Sequence, residues 1–121
     1  MNDTARLLVP TLVADADGRF DGSRALIAEA LAIGVGGFVL HGGEQDAVRA
    51  LTKELQQRSS TPLLVGADME RGAGQQFAGA TGLPPLAAIA ALDDLEALRR
   101  DARLTAREAR TIGVNWCFGP V

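Results

Sequence analysis

The sequence predicts an α/β fold in which parallel strands alternate with helices. Four short apolar runs, each bounded by glycine, proline or polar residues, have the length expected of strands buried on both faces of a sheet. Longer segments with apolar residues at helical spacing separate them, as in β/α units with right-handed crossovers. Four strands are about half of a TIM-type (β/α)8 barrel, which needs roughly 250 residues. Because the fourth run has no helix after it, we expect residues 1–121 to form the N-terminal portion of such a barrel.

Each predicted strand rests on one of the apolar runs. The first covers residues 7–13 (LLVPTLV), where Pro10 favours an edge position because proline donates no ladder hydrogen bond. The second covers residues 35–41 (VGGFVLH), the third runs from Pro62 to Asp68, and the fourth covers residues 114–118 (VNWCF). The sheet is therefore predicted to be buried and parallel.

The first two predicted helices connect the first three strands. The first begins after Asp21 or Ser23, because either side chain can cap a helix N-terminus. It ends at Gly34, since glycine is common just past a helix. The second covers residues 44–58, which are apolar on one face and charged on the other.

Two further helices are predicted before the fourth strand. A short one covers residues 86–92, and a longer one runs from Asp93 or Asp94 to about residue 111, where Gly113 ends it. The apolar positions of the long helix predict its buried face, namely Leu95, Leu98, Leu104 and Ala109.

The composition excludes several classes of function. The net charge is −3 without any basic run, so nucleic acid is not an expected partner. No stretch approaches the roughly 20 apolar residues of a membrane span, and we expect a cytoplasmic protein without a membrane partner. One cysteine and one histidine are too few for a typical zinc site, so neither metal nor cofactor is predicted. Cys117 lies in an apolar run, which indicates a buried thiol and not a nucleophile.

Asp68 and His41 are the predicted substrate-binding residues. Each ends a predicted strand, and α/β barrels place their ligand sites at the carboxyl ends of the strands. An ionised Asp68 can accept hydrogen bonds from two hydroxyl groups of a sugar. The alternatives are that Asp68 caps a loop or pairs with Arg71, and that His41 is a structural histidine held by a hydrogen bond.

Asp68 and Glu70 do not form a catalytic pair in this interpretation. An extended backbone would place them on one face about 6.6 Å apart, close to the separation of about 5–5.5 Å in retaining glycosidases. However, two carboxylates from one strand end approach a substrate from the same side and cannot flank its scissile bond. We expect Glu70 to make a structural contact, and Gln75 and Gln76 to anchor the loop.

Several segments together resemble the N-terminal barrel domain of glycoside hydrolase family 3. That family typically shows Asp-x-Glu-x-Gly, then Gln or Arg before Phe, then Thr-x-Leu-Pro. The matching residues here are 68–72 (DMERG), 75–77 (QQF) and 81–84 (TGLP), together with the strand motifs at 36–40 (GGFVL), 113–115 (GVN) and 118–121 (FGPV). The chain departs from the common pattern at His41, Arg71 and Gln76.

The resemblance implies retaining exo-hydrolysis of β-linked sugars, commonly β-glucosides or β-N-acetylglucosaminides. It places Asp68 where family members hold sugar hydroxyls. It also implies that the aspartate nucleophile and the acid/base lie outside these residues, so that the chain has no catalytic residue and is inactive alone.

Two other functions are compatible with the fold. One is a barrel lyase or isomerase acting on a phosphorylated sugar, although the only lysine, Lys53, lies on a helix face and not at a strand end. The other is a non-catalytic carbohydrate-binding or assembly module that self-associates through open sheet edges.

Overall fold

The computed structural model describes residues 3–120. Its centre is a parallel sheet of four strands, which are β1 (Thr11–Val13), β2 (Gly37–His41), β3 (Leu64–Asp68) and β4 (Trp116–Phe118). The α-helices in the described part of the chain are α1 (Arg24–Ile33), α2 (Gln45–Arg58), α3 (Leu86–Ala91) and α4 (Leu95–Thr111). Short 3-10 helices occupy Asp3–Leu7, Asp21–Ser23 and Ala73–Gln75.

The strands lie in the sheet in the same order as in the chain, β1-β2-β3-β4. All three neighbouring pairs are parallel. A doubly wound sheet reverses its strand order at a switch point, whereas a β/α barrel adds each strand beside the previous one. The predicted α/β fold with four parallel β/α-type strands is confirmed.

The two faces of the sheet differ in burial. Alternate strand residues point to opposite faces. Those on the helix side of β1, β2 and β3 have no exposed surface, and neither do several helix residues packed on them. They are Leu12, Phe38, Leu40 and Val65 from the strands and Ile27, Val48 and Leu55 from α1 and α2. Full burial of such a side chain contributes roughly 1.5–3 kcal/mol. The opposite face, here called the inner face, remains open, and its Val13 and Leu64 are 60% and 48% exposed.

The first strand is shorter than the sequence predicts. Residues Asp3–Leu7 form a 3-10 helix that buries Ala5 and leaves Leu7 exposed. The carbonyl of Arg6 lies over Gly36, where a Cβ atom would come within 2.0 Å of it. The apolar run therefore divides near Pro10 between a helical turn and a strand.

The C-terminal end of α1 is where the sequence predicts it, but its N-terminal cap is not. Neither Asp21 nor Ser23 caps the N-terminus with its side chain, because residues Asp21–Ser23 continue the helix as a 3-10 turn. The carboxylate of Asp15 accepts a hydrogen bond from the Gly22 N–H instead, at 2.9 Å. Gly34 ends the helix as predicted, with a left-handed φ of 80° that side chains disfavour.

Carboxylates cap the two longest helices. Glu44 accepts hydrogen bonds from the N–H groups of Asp46 and Ala47 at the start of α2. Asp94 does the same for Glu96 and Ala97 at the start of α4. Asp94 is thus the residue that begins the long helix, and each carboxylate also interacts favourably with the helix dipole.

The predicted buried face of α4 is wrong for three of its four residues. Ala109 is buried, but Leu95, Leu98 and Leu104 are 58%, 42% and 36% exposed. Only the C-terminal end of α4 reaches the core, through Ala109. Leu98 instead lines a groove of about 460 Å³ between α3, α4 and β4. Helical periodicity identifies an apolar face but not what covers it.

Candidate functional site

The carboxyl ends of the four strands place four residues in one row on the inner face. Val13 pairs with His41 across β1 and β2, and Asp68 pairs with Phe118 across β3 and β4. The β2–β3 register sets Val39 beside Gly66, and its continuation sets His41 beside Asp68. Neighbouring strands are about 4.8 Å apart. The two predicted binding residues are therefore side by side.

Asp68 is half-buried at the end of β3. Among the described residues, no hydrogen bond or ion pair involves its carboxylate, and the alternative pairing with Arg71 is not formed. Within residues 3–120, the Asp68 carboxylate caps no loop N–H group either. A half-buried carboxylate without a partner keeps its acceptor sites available to a ligand.

His41 is half-buried beside it. Its backbone carbonyl accepts a hydrogen bond from the Ala14 N–H at 2.9 Å. Within residues 3–120 its imidazole makes no hydrogen bond, so the structural alternative for this histidine is not supported by a contact. The imidazole beside Asp68 is therefore available to a ligand.

Glu70 lies on a different surface from Asp68. The strand ends at Asp68, and Glu70 lines the groove between α3, α4 and β4, with its side chain against Gly119. The shared face that an extended backbone would give these two carboxylates is not formed, since the strand ends at Asp68.

Gln75 and Gln76 anchor the loop, as predicted. The Gln75 side-chain oxygen accepts hydrogen bonds from the N–H groups of Glu70 (2.8 Å) and Arg71 (3.0 Å). The Gln76 side-chain oxygen accepts one from the Gly42 N–H at 3.1 Å. The partners of these two amides, directly after β3 and β2, could not be predicted because sequence spacing does not indicate contacts across strands.

Aromatic residues of β4 complete the inner face. The rings of Trp116 and Phe118 meet edge to face, with centroids 4.6 Å apart. Both lie over Gly66, where a Cβ atom would come within 2.8 Å of Phe118 and 3.4 Å of Trp116. Phe118 also pairs with Asp68 across β3 and β4. The sequence pattern did not indicate this pairing.

Asn115 ties the start of β4 to β3. Its side-chain oxygen accepts a hydrogen bond from the Val65 N–H (2.8 Å), and its amide nitrogen donates to the Leu63 carbonyl (3.1 Å). Its backbone N–H also donates to the Val65 carbonyl at 3.0 Å. One residue thus makes three hydrogen bonds to the segment where β3 begins.

Cys117 is exposed, so the prediction of a buried thiol is wrong. It lines the open groove between α3, α4 and β4. Partial desolvation raises the pKa of the thiol, and the nearby carboxylates of Asp68 and Glu70 act in the same direction. A raised pKa disfavours the reactive thiolate, which agrees with the expectation that Cys117 is not a nucleophile.

The part of the chain that the structure describes holds neither a metal-binding cluster nor a membrane span. No group of three or more His, Cys, Asp or Glu residues between residues 3 and 120 could hold a metal ion. No helix among these residues combines the length and the apolar character needed to cross a membrane.

The sequence is similar to known glycosidases. Residues 22–121 match the family described as "Glycosyl hydrolase family 3 N terminal domain". A beta-N-acetylglucosaminidase/beta-glucosidase of Cellulomonas fimi is 38% identical over 87 residues, which cover 72% of this chain and 15% of that protein. A beta-hexosaminidase of Thiobacillus denitrificans (strain ATCC 25259 / T1) is 32% identical over 108 residues, or 84% of this chain and 30% of that protein.

The chain spans less than a third of the length of either relative. The family match, by contrast, covers most of the chain and includes β2, β3 and β4 with the row of residues at their carboxyl ends. The chain belongs to glycosyl (glycoside) hydrolase family 3.

Proposed function

We propose that this chain supplies part of the sugar-binding pocket of a β-glycosidase, with Asp68 and His41 as substrate-binding residues. The observation that carries the proposal is their placement side by side at the carboxyl ends of β2 and β3. Asp68 accepts hydrogen bonds from hydroxyl groups of the sugar, because its carboxylate has no other partner within residues 3–120.

The proposed substrates are β-N-acetylglucosaminides or β-glucosides. The names of the two relatives support this choice, since one is a beta-N-acetylglucosaminidase/beta-glucosidase and the other a beta-hexosaminidase. The proposed reaction is exo-acting and retaining. An aspartate forms a glycosyl-enzyme as the leaving group is protonated, and water then hydrolyses this intermediate.

We assign neither the nucleophile nor the acid/base to this chain. Asp68 has the binding role, and Glu70 lines a groove on another surface. A retaining pair must lie on either side of the scissile bond, whereas Glu70 lines a groove whose lining does not include Asp68. The 121-residue chain is therefore expected to be inactive alone.

A panel of aryl β-glycosides tests the proposal on protein expressed from the whole reading frame. We expect cleavage of a glucoside or an N-acetylglucosaminide, and an Asp68→Ala variant should lose at least about 100-fold in kcat/KM, since charged hydrogen bonds contribute about 1.5–3 kcal/mol each. Asp68→Asn, which keeps one acceptor oxygen, should lose less. Absence of cleavage on the whole panel, or an unaffected Asp68→Ala variant, would contradict the proposal.

The open sheet supports a second proposal, that the 121-residue chain self-associates. In the described chain β1 and β4 each pair with a strand on one side only. Unpaired strand edges bind other strands readily.

A cytoplasmic location remains a prediction from the sequence.

A further inference from the structure

We propose that Gln75 and Gln76 are positioning residues that fix the relative placement of Asp68 and His41 for sugar binding. The inference rests on the proposed function of these two residues. Each glutamine holds the backbone just after one member of the pair, and the two glutamines are adjacent in the chain.

Gln75 fixes the chain where it leaves β3. Its side-chain oxygen accepts from two successive N–H groups, those of Glu70 and Arg71. On the other side, the Met69 N–H donates to the Phe118 carbonyl at 3.2 Å. Asp68 is thus followed by three N–H groups that all have fixed acceptors, which restrains the backbone carrying its carboxylate.

Gln76 fixes the chain where it leaves β2. The turn after His41 consists of Gly42 and Gly43, which have φ values of 71° and 122°. Two successive glycines lose much conformational entropy when ordered. The hydrogen bond from the Gly42 N–H to Gln76 restrains this turn, and a second one from the Ala78 N–H to the Gly43 carbonyl (2.9 Å) supports it.

Both glutamines belong to one segment that is anchored in the core. The Ala73–Gln75 helix and the buried Phe77 that follows it anchor this segment in the core. The Phe77 N–H donates to the Ala73 carbonyl at 3.0 Å. The two glutamine oxygens therefore connect the residues that follow β2 and β3 to the same turn.

This geometry matters for a carbohydrate because its hydroxyl groups have fixed spacings. Adjacent polar side chains on two strands bind neighbouring hydroxyl groups well only if the strand ends keep their separation. Small displacements of positioned groups weaken binding substantially. Loss of either glutamine oxygen should therefore weaken substrate binding without altering the chemistry.

Glutamine-to-methionine variants in the protein from the whole reading frame test the inference. Methionine keeps the approximate size and removes the acceptor, whereas glutamate keeps an acceptor oxygen. On the substrate found in the glycoside panel, Gln75→Met and Gln76→Met should each raise KM about 10-fold with kcat nearly unchanged, the equivalent of one lost hydrogen bond. Gln75→Glu and Gln76→Glu should restore KM to within about 3-fold of the original.

Gln56 offers a matched control at the opposite end of β3. Its side chain donates to the Leu63 carbonyl (2.9 Å) and accepts from the Leu63 N–H (3.0 Å), far along the strand from Asp68. Gln56→Met should lower the unfolding temperature and leave KM unchanged. If Gln75→Met and Gln76→Met behave like Gln56→Met, the inference is overturned.

A double-mutant cycle separates positioning from general stabilisation. If Gln76 acts through His41, Gln76→Met should change KM by less than about 2-fold in a His41→Ala background. If the enzyme is active and Gln76→Met raises KM by the same factor with and without His41, the inference is overturned. An unmodified protein that cleaves no glycoside would instead overturn the proposed function, so the two failures are distinguishable.

Discussion

At the scale of single residues, Thr52 shows how one hydroxyl group joins distant segments. Thr52 is 3% exposed and lies in α2. Its hydroxyl donates to the Ile112 carbonyl at 2.7 Å, with the Arg49 carbonyl 3.1 Å away. Gly113 packs directly against it, since a Cβ atom there would come within 2.2 Å of the hydroxyl oxygen. The hydroxyl therefore fixes the junction between α4 and the strand that follows.

Replacement of this hydroxyl should destabilise the protein. Thr52→Val removes the donor and leaves the Ile112 carbonyl without it in a buried position, which costs about 1–3 kcal/mol. Urea denaturation measures the change in unfolding free energy. Thr52→Ser retains the hydroxyl and should cost less than Thr52→Val. A loss for Thr52→Val that is no larger than the loss for Thr52→Ser would contradict the assignment of the stability to the hydrogen bond.

The residue scale also shows what the sequence can reveal about the site. Asp68 and His41 were predicted to lie together because the carboxyl ends of parallel strands share one edge of a sheet. The partners of Gln75 and Gln76 were not predictable, since a hydrogen bond from Gly42 to Gln76 spans 34 residues. Helical and strand periodicity report burial of a face and carry no information about such polar contacts.

At the scale of elements, an ion-pair network connects α1 to α2. Glu54 accepts a hydrogen bond from Arg24 of α1 (2.7 Å) and one from Arg58 of α2 (2.8 Å). The hydrogen bonds to Arg24 and Arg58 lower the pKa of the Glu54 carboxyl. A carboxyl with a lowered pKa in the folded state stabilises the protein at neutral pH, and this contribution is lost as the pH falls through its folded pKa.

The network should make a small part of the stability dependent on pH. Because these side chains are partly exposed to solvent, Glu54→Gln should cost less than about 1 kcal/mol at neutral pH. The difference between the variant and the original should shrink as the pH falls below the ordinary value of 4.5, and also in high salt. Denaturant titrations across pH provide the measurement. Glu29→Gln, on the exposed surface of α1, is the control, and an equal pH dependence there would contradict the assignment to Glu54.

The elements were predicted better than their ends and covered faces. The alternation of strands and helices follows from periodicity, and Gly34 and Asp94 mark helix ends by their known preferences. The start of β1 depends on the contact of Arg6 with Gly36, which is distant in the sequence, and the turn before α1 depends on a hydrogen bond to Asp15 from the loop before it. The exposed leucines of α4 and the exposed Cys117 depend on which neighbours pack there.

At the scale of the whole molecule, the sheet has one closed face and one open face. The helix side holds the core, whereas the inner face exposes Val13, Leu64 and Trp116. The open face and the two free strand edges belong to the same sheet. Apolar surface next to unpaired strand edges favours association with other chains.

The 121-residue chain should therefore form oligomers as its concentration rises. Sedimentation velocity measures this directly. Val13→Lys places a charge on edge strand β1 and should shift the distribution towards monomer, whereas Gln57→Lys on the exposed face of α2 should not. A monomer at every concentration would contradict the expected self-association.

The three hydrogen bonds of Asn115 have a consequence for how the sheet assembles. A strand that slips by one residue exchanges the two faces of its side chains, and here a slip would bring Cys117 to the place of Phe118 beside Asp68. Any slip would break all three bonds of Asn115 to Leu63 and Val65 at once. Asn115 therefore fixes the register of β4 against β3. Insertions and deletions between Asn115 and Phe118 should be tolerated far less well than changes of length in the loop before α3.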